Sequence, residues 1–380
     1  MTSDGAPLSC TVRTSANIAL VKYWGKRDSD LILPLNDSVS LNIDALNADT
    51  TIVASSEFLA DSVEVNGKKY DCGENTRFYR VFQAVRKLLE SRESSASSRL
   101  HFEVVSTTNF PVASGLASSA AGFAAIAYGM KTLFGFSQDE ASRLARLGSG
   151  SAVRSLDGGL VRWRRGTRAD GIDSVAEQLF PASHWPSLRA LIFVANDQEK
   201  KDGSTKGMQM TVETSSLLQE RVAGVDEAIN SLTQAFAAKD FSKLAELVMK
   251  DSDNFHACCL DTKPPLPYLN DTSRLIIDLV HRFNSRKSEP GQKNEKQPEA
   301  LGAAYTFDAG PNACIYIEEA TMCEFLKFVT KHLRFSPGAK AKIQEILGED
   351  VETLLDAPLI LDLIYSTVGG EPQILAHQMS

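Results

Sequence analysis

The sequence predicts a two-lobed α+β protein, and three observations carry that expectation. The first 65 residues alternate apolar and polar side chains with a period of two, as half-buried strands do. From 208 to 250, and again from 273 to 283, the apolar residues recur at helical spacing instead. Strand-like runs occur in both halves, so neither half is purely helical. A chain of 380 residues, at roughly 150 residues per domain, then reads as an N-terminal lobe over 1–195 and a C-terminal lobe over 196–380.

The elements follow in order. Val39, Leu41 and Ile43 alternate with polar neighbours, and 50–55 and 62–65 continue the pattern. Asn66-Gly67 marks a hairpin turn. Phe78, Phe82, Val85 and Leu89 fall on one helical face over 75–90, with Asn75 as the expected cap. The serine-rich run 92–99 reads as a surface loop and 100–106 as a strand. A helix of small residues runs from about 115 to 134. Ser137 with Glu140 makes a capping box for the next helix, which 148–151 ends. Strands are expected at 159–163, 188–195, 303–307, 313–317 and 359–364, and a further helix at 320–333. The stretch 284–300 is almost entirely polar, with Pro and Gly, and reads as a flexible insertion.

Composition excludes several functions. A hydrophobic fraction of 43% and a charged fraction of 23% suit a soluble protein that needs no disulfide staples. The net charge of −8 argues against a nucleic-acid partner. Six cysteines without a Cys-x-x-Cys pair read as reduced thiols, and the six scattered histidines show no metal-ligand spacing. No apolar run reaches the roughly 18 residues of a membrane span. The polar start, 1–7, is not a signal peptide. The cytoplasm is the expected location.

Four stretches carry chemistry. Gly115, Leu116, Ala117, Ser118, Ser119 and Ala120 follow a strand and open a helix. Small side chains there let phosphate oxygens approach unpaired backbone N–H groups, and the serines add hydroxyls. No Gly-Lys-Ser/Thr follows, so this is not a Walker loop; a tightly packed helix of small residues is the plainer alternative. Lys22, Tyr23, Trp24, Gly25, Lys26 and Arg27 gather three cations and two aromatics around one glycine, a binding edge for a polyanion or else a solvated basic turn. Ser149, Gly150, Ser151, Ala152, Val153 and Arg154 offer backbone donors, two hydroxyls and a guanidinium that can fork onto phosphate or carboxylate, or else form an ordinary helix C-cap followed by a turn. Asp308 sits in a turn between two short strands, where a turn aspartate that bonds its own backbone is the plainer alternative. Taken alone, these residues indicate an enzyme that binds a nucleotide and an anion.

The loop Pro111, Gly115, Leu116, Ser118, Ser119, Ala120 resembles the phosphate loop of the small-molecule kinases that include galactokinase, homoserine kinase, mevalonate kinase and phosphomevalonate kinase. Ala117, the run 16–27 and the run 33–40 are similar to the diphosphomevalonate decarboxylase branch. The resemblance spans about 12–367. It implies an N-terminal lobe of ribosomal protein S5-like type, a ferredoxin-like C-terminal lobe and an active site between them. It implies that Asp308, Lys22, Arg154 and Ser119 are catalytic, with Asp308 taking the proton of the substrate's tertiary hydroxyl. Tyr23, Trp24, Gly25, Lys26, Arg77, Ser149, Gly150, Ser151, Ala152, Val153, Arg154, Ser204 and Thr205 would hold the substrate, diphosphomevalonate. The loop 115–120 would hold the ATP phosphates. Mg²⁺ is implied with ATP, without assignable ligands, and a homodimer is implied. The expected reaction yields isopentenyl diphosphate, ADP, phosphate and CO2, in the mevalonate pathway to isoprenoids and sterols. A kinase of the same superfamily that stops after phosphorylation is the rival; Lys22, Arg154 and Asp308 together disfavour it.

Overall fold

The strand β1 (Leu8–Val21) runs antiparallel to β4 (Ser38–Ser55) over nearly its whole length. Its burial alternates at first and is continuous from Ala16 onward. The partner shows the mirror pattern, continuous at its start and alternating after that. A strand buried residue after residue is covered on both faces. The paired segments around Ile18 and Leu41 therefore lie between two layers, and they lead straight to Lys22. The computed structural model describes residues 7–92, 100–110, 118–195, 203–286, 301–351 and 359–378.

Around this pair grows the first sheet, in the order β14 (Gln373–Gln378), β1, β4, β7 (His101–Thr108), β5 (Ser62–Val65) and β6 (Lys68–Tyr70); β8 (Leu160–Trp163) joins β4 and carries β9 (Ala176–Phe180). The helices α1 (Arg77–Glu90), α2 (Ser118–Phe134) and α3 (Gln138–Gly148) share a core with it that includes Val12, Ile52, Phe82, Phe102 and Ala124. The second sheet is antiparallel, in the order β11 (Ala303–Phe307), β12 (Ala313–Glu318), β10 (Leu188–Val194) and β13 (Asp362–Thr367). Packed with it are α5 (Leu218–Ala238), α6 (Phe241–Asp261), α7 (Asp271–Asn284), α8 (Glu319–Val329) and α9 (Pro337–Leu347). One apolar cluster joins Ile18, Leu20 and Leu41 of the first sheet to Leu191, Phe193 and Ile315 of the second. A small ribbon, β2 (Lys26–Asp28) with β3 (Leu33–Pro34), and the helix α4 (Ser204–Thr214) flank the space between the sheets.

The two-lobed α+β class, with strands and helices in both halves, agrees with the expectation from the sequence. Several details differ. β10 precedes residue 195 but pairs with β12 and β13, while β14 returns to the first sheet, so a cut at 195 separates both strands from their own half. The cap of α1 is Thr76, whose hydroxyl accepts from the Tyr79 N–H at 3.2 Å; Asn75 instead takes a left-handed φ of 71°. The small-residue helix begins at Ser118 among the described residues, and the helix expected to reach 333 stops at Val329. The strand expected at 359–364 pairs over Asp362–Thr367. β9, α9 and β14 were not expected. The Ser137–Glu140 capping box and the Asn66-Gly67 hairpin are both present. Most of the serine-rich loop 92–99, most of the phosphate loop and most of the insertion 284–300 lie outside the described residues.

Candidate functional site

Lys22 leaves β1 at the point where the strand is sandwiched, and its backbone is held on both sides. Its N–H donates to Asp251 Oδ2 at 2.9 Å, and its carbonyl accepts from Asn36 Nδ2 at 3.1 Å and from Arg221 at 3.4 Å. Arg221 and Asp251 form a buried ion pair at 3.0 Å, their side chains 3% and 7% exposed. With the backbone fixed, the Lys22 ammonium donates to the Ala19 carbonyl and to Asp308 Oδ1, both at 2.8 Å. Asp308 belongs to the turn after β11, so this contact ties the first sheet to the second. Lys22 is 3% exposed and Asp308 34%, which leaves the carboxylate open toward the space between the sheets. Behind them, His256 is buried and its ring is pushed down to about 3, by burial first and by the Lys22 charge second. It stays neutral there and is a poor base.

Arg154 lies in a short 3-10 helix, Gly150–Ser155, and is buried. Its Nε donates to Ser40 Oγ at 2.5 Å and one terminal nitrogen to Ser38 Oγ at 2.6 Å. No carboxylate pairs with it among the described residues. Burial pushes the guanidinium down to about 10, against the pull of Asp308 and Tyr23, and it remains charged at neutral pH. Tyr23 packs edge-on against Trp163, ring centroids 4.8 Å apart. Its hydroxyl is buried without a hydrogen-bond partner, and burial raises the phenol well above its ordinary range. Gly150 makes this packing possible: a Cβ there would come within 2.8 Å of Trp163 and 2.9 Å of Tyr23. Gly25 takes φ +96° where the chain turns toward β2, and a Cβ would meet Leu35 at 2.7 Å.

These groups line one cleft of about 1280 Å³ between the sheets. That exceeds the roughly 300–1,000 Å³ of an ordinary single-ligand pocket. One wall carries three hydroxyls in a row: Ser119 to Ser149 at 3.3 Å, and Ser149 to Ser151 at 3.2 Å. The opposite rim is α4, with Ser204 and Thr205 exposed at its amino end. Lys26, Arg77 and Arg80 line a further part, where burial and then the two arginines hold the Lys26 ammonium below its ordinary range. Five lining cations, Lys22, Lys26, Arg77, Arg80 and Arg154, face three lining carboxylates, Asp30, Glu213 and Asp308. The cleft is thus suited to a polyanion although the chain as a whole is acidic.

Most of the residues singled out in the sequence meet here: Lys22, Tyr23, Lys26, Arg77, Ser119, Ser149, Gly150, Ser151, Arg154, Ser204, Thr205 and Asp308 all line the cleft. Trp24 touches it, but its ring packs against Phe255 and its indole N–H donates to Thr211, so its side chain serves the core. Ala120, Ala152 and Val153 are fully buried and do not line the cleft, because they face the apolar interior. Gly115, Leu116 and Ala117 lie outside the described residues, and of Ser118 only its place at the start of α2 is described. Sequence reasoning missed Asn17, Arg80, Asn36, Arg221 and Asp251. Asn17 lines the cleft, donates to the Ser151 carbonyl at 2.9 Å and to Ser155 Oγ at 2.8 Å, and leaves its own side-chain oxygen buried without a partner. It stands in the same run as Lys22, which was the available signal. Among the described residues, no group of three His, Cys, Asp or Glu could hold a metal ion.

Family models match most of the chain: the diphosphomevalonate decarboxylase-like N-terminal domain over 14–176, and the mevalonate 5-diphosphate decarboxylase C-terminal domain over 190–375. The diphosphomevalonate decarboxylase of Rattus norvegicus is 43% identical over 97% of this chain and 94% of its own length. That of Bos taurus is 46% identical over 99% and 96%. Among solved structures, mevalonate diphosphate decarboxylase from Trypanosoma brucei superposes with a TM-score of 0.84 at 31% identity, covering 97% of this chain and 98% of that one. The structure described as MDDEF in complex with MVAPP, AMPPCP and magnesium gives a TM-score of 0.77 at 30% identity, covering 97% and 99%.

Proposed function

The chain belongs to the diphosphomevalonate decarboxylase family, and on that footing we propose how its cleft carries out the family reaction. The activity is the ATP-dependent decarboxylation of (R)-5-diphosphomevalonate to isopentenyl diphosphate, with ADP, phosphate and CO2 as the other products. The observation that carries the reading is the Lys22–Asp308 contact at 2.8 Å, a carboxylate of one sheet anchored by a lysine of the other in a cationic cleft that Ser119 also lines.

The substrate alcohol is too weak an acid for Asp308 to deprotonate outright. Asp308 orients the hydroxyl and accepts its proton as the oxygen bonds to the ATP terminal phosphorus. The C3–O bond then breaks and its electron pair leaves with phosphate. The departing phosphate takes the proton back from Asp308, and positive charge builds at C3, where the restored carboxylate favours it. The bond to the substrate carboxylate breaks, its electron pair forms the C=C bond, and CO2 departs. Lys22 holds Asp308 Oδ1 in place and so orients the carboxylate toward the alcohol. Arg154, stiffened by Ser38 and Ser40, receives the substrate carboxylate with its free N–H groups. Tyr23 supplies an unpaired hydroxyl beside it. Ser119, Ser149 and Ser151 set the phosphoryl donor facing the alcohol.

Mg²⁺ accompanies ATP. An ion carried mainly on nucleotide phosphates needs only one or two protein oxygens, and the Ser119 hydroxyl, which lines the cleft, would be one of them. The ion supplies charge neutralisation for phosphoryl transfer. We also propose a cytoplasmic homodimer. All six cysteines are free, which suits a reducing compartment, and sedimentation of the pure protein checks the dimer.

The experiment is direct. The pure protein is incubated with ATP, Mg²⁺ and diphosphomevalonate, and ADP and CO2 are followed together. Release in equal amounts supports the decarboxylase; ADP without CO2 makes the protein a kinase only.

A further inference from the structure

Arg80 lines the cleft and takes no part in the steps described above. It lies three residues after Arg77 in the first turn of α1, so both side chains leave the same face of the helix. Lys26 reaches the same region from β2, and all three line the cleft. The first turn of α1 contains no acidic residue, and the helix adds partial positive charge at that end.

Among the described residues, no carboxylate is paired with Lys26, Arg77 or Arg80. Arg80 Nε is buried and has no hydrogen-bond partner. The charges act on one another: Arg77, although open to the cleft, is held below its ordinary range by the surrounding protein first and by Arg80 second. Three mutually repelling cations with an orphaned N–H are unfavourable until an anion of comparable charge joins them. A phosphate monoester near neutral pH carries about −1.5 to −2. Two cations are enough for that charge, and a third is matched to a second phosphate.

We propose that Arg80 is a specificity-determining residue: it takes the terminal phosphate of the substrate's diphosphate, and so favours diphosphorylated over monophosphorylated substrates. This deepens the decarboxylase reading and rests on it. The guanidinium fork suits two oxygens of one phosphate. Lys26 and Arg77 are then free to neutralise the phosphate nearer the carbon chain.

The test uses the intact protein and the substitution Arg80→Gln. Wild-type CO2 release with diphosphomevalonate is measured first; its failure rejects the decarboxylase reading separately. With Arg80→Gln, KM for diphosphomevalonate rises by about 10- to 100-fold and kcat falls less. The monophosphorylated analogue, 5-phosphomevalonate, loses far less, so the preference narrows by a similar factor. Arg80→Lys, which keeps the charge, restores part of it. Inorganic pyrophosphate competes less well against the variant than against the wild type, whereas inorganic phosphate competes equally. The pyrophosphate comparison also judges Arg80 if no CO2 is formed. The proposal is overturned if the two substrates weaken equally, if ATP affinity drops in place of substrate affinity, or if the variant melts earlier with its preference intact.

Discussion

Arg221 and Arg154 are buried alike and partnered oppositely. Arg221 lies beneath Lys22 with its charge cancelled by Asp251 and its two terminal nitrogens taken up by Asp251, Asn254 and backbone carbonyls, while its Nε has no hydrogen-bond partner among the described residues. Arg154 lies at the cleft with two serine hydroxyls and no carboxylate. The first arrangement is charge-balanced without a ligand and fixes the strand end that aims Lys22. The second is electrically incomplete and becomes balanced when an anion enters. Of these two buried arginines, the one that lacks a counter-charge faces the ligand, and the one whose counter-charge is in place serves the architecture.

This contrast can be broken or sharpened by measurement. The largest effect is expected where the open side meets the chemistry: Asp308→Asn lowers kcat by about 10²- to 10⁴-fold, the range of a positioned proton acceptor. ATP affinity, read by titration, stays close to wild type, and a substantial residual kcat removes Asp308 from that role. Next, Arg221→Met strands the Asp251 carboxylate in the interior and costs about 3–5 kcal/mol in denaturant unfolding. Replacing both partners by apolar residues recovers most of this loss; if the single variant unfolds like the wild type, the pair is not the support described. Arg154→Met leaves no buried charge behind, so stability changes little while kcat/KM for the substrate falls by about 10²-fold. Equal damage from the Arg154 and Arg221 variants, in activity and in stability alike, dissolves the distinction.

The smallest effect concerns His256. Its proton affinity falls from the usual value near 6.5 to about 3 on folding. The unfolded chain therefore binds the extra proton between those pH values and the folded chain does not. Stability from this group is fully present above pH 6.5 and declines as pH falls toward 3, by up to about 1.4 kcal/mol per pH unit. His256→Gln flattens that slope in urea titrations at pH 5; an unchanged slope assigns the acid sensitivity to another group.

The parts of this molecule that could be read from the sequence are those whose reasons are local. Ser137 and Glu140 cap α3 because they stand three apart, and Asn66-Gly67 turns a hairpin because both residues accept positive φ. Lys22 and Asp308 were legible because each sits in a distinctive run, although nothing local shows that they touch. Arg80 was not legible: in the sequence it is one more helix arginine, and only the position of β2 makes it a neighbour of Lys26. Asp251 and Arg221 escaped for the same reason, since they act on the backbone of a residue far away in the chain. β14 is exposed along its whole length and shows no buried alternation, so its pairing leaves no apolar pattern to detect.

That last strand bears on how the protein is made. Ser9 pairs with Gln378 and Arg13 with Gln373, so β1 obtains its outer neighbour only after residues 373–378 have been made. Until then the nascent amino-terminal half presents an unpaired strand edge, the kind of template on which other chains can add. Closing so long a loop is slow compared with forming a helix. Chaperone dependence during synthesis, more than the stability of the finished enzyme, is where damage to residues 373–378 should first be felt.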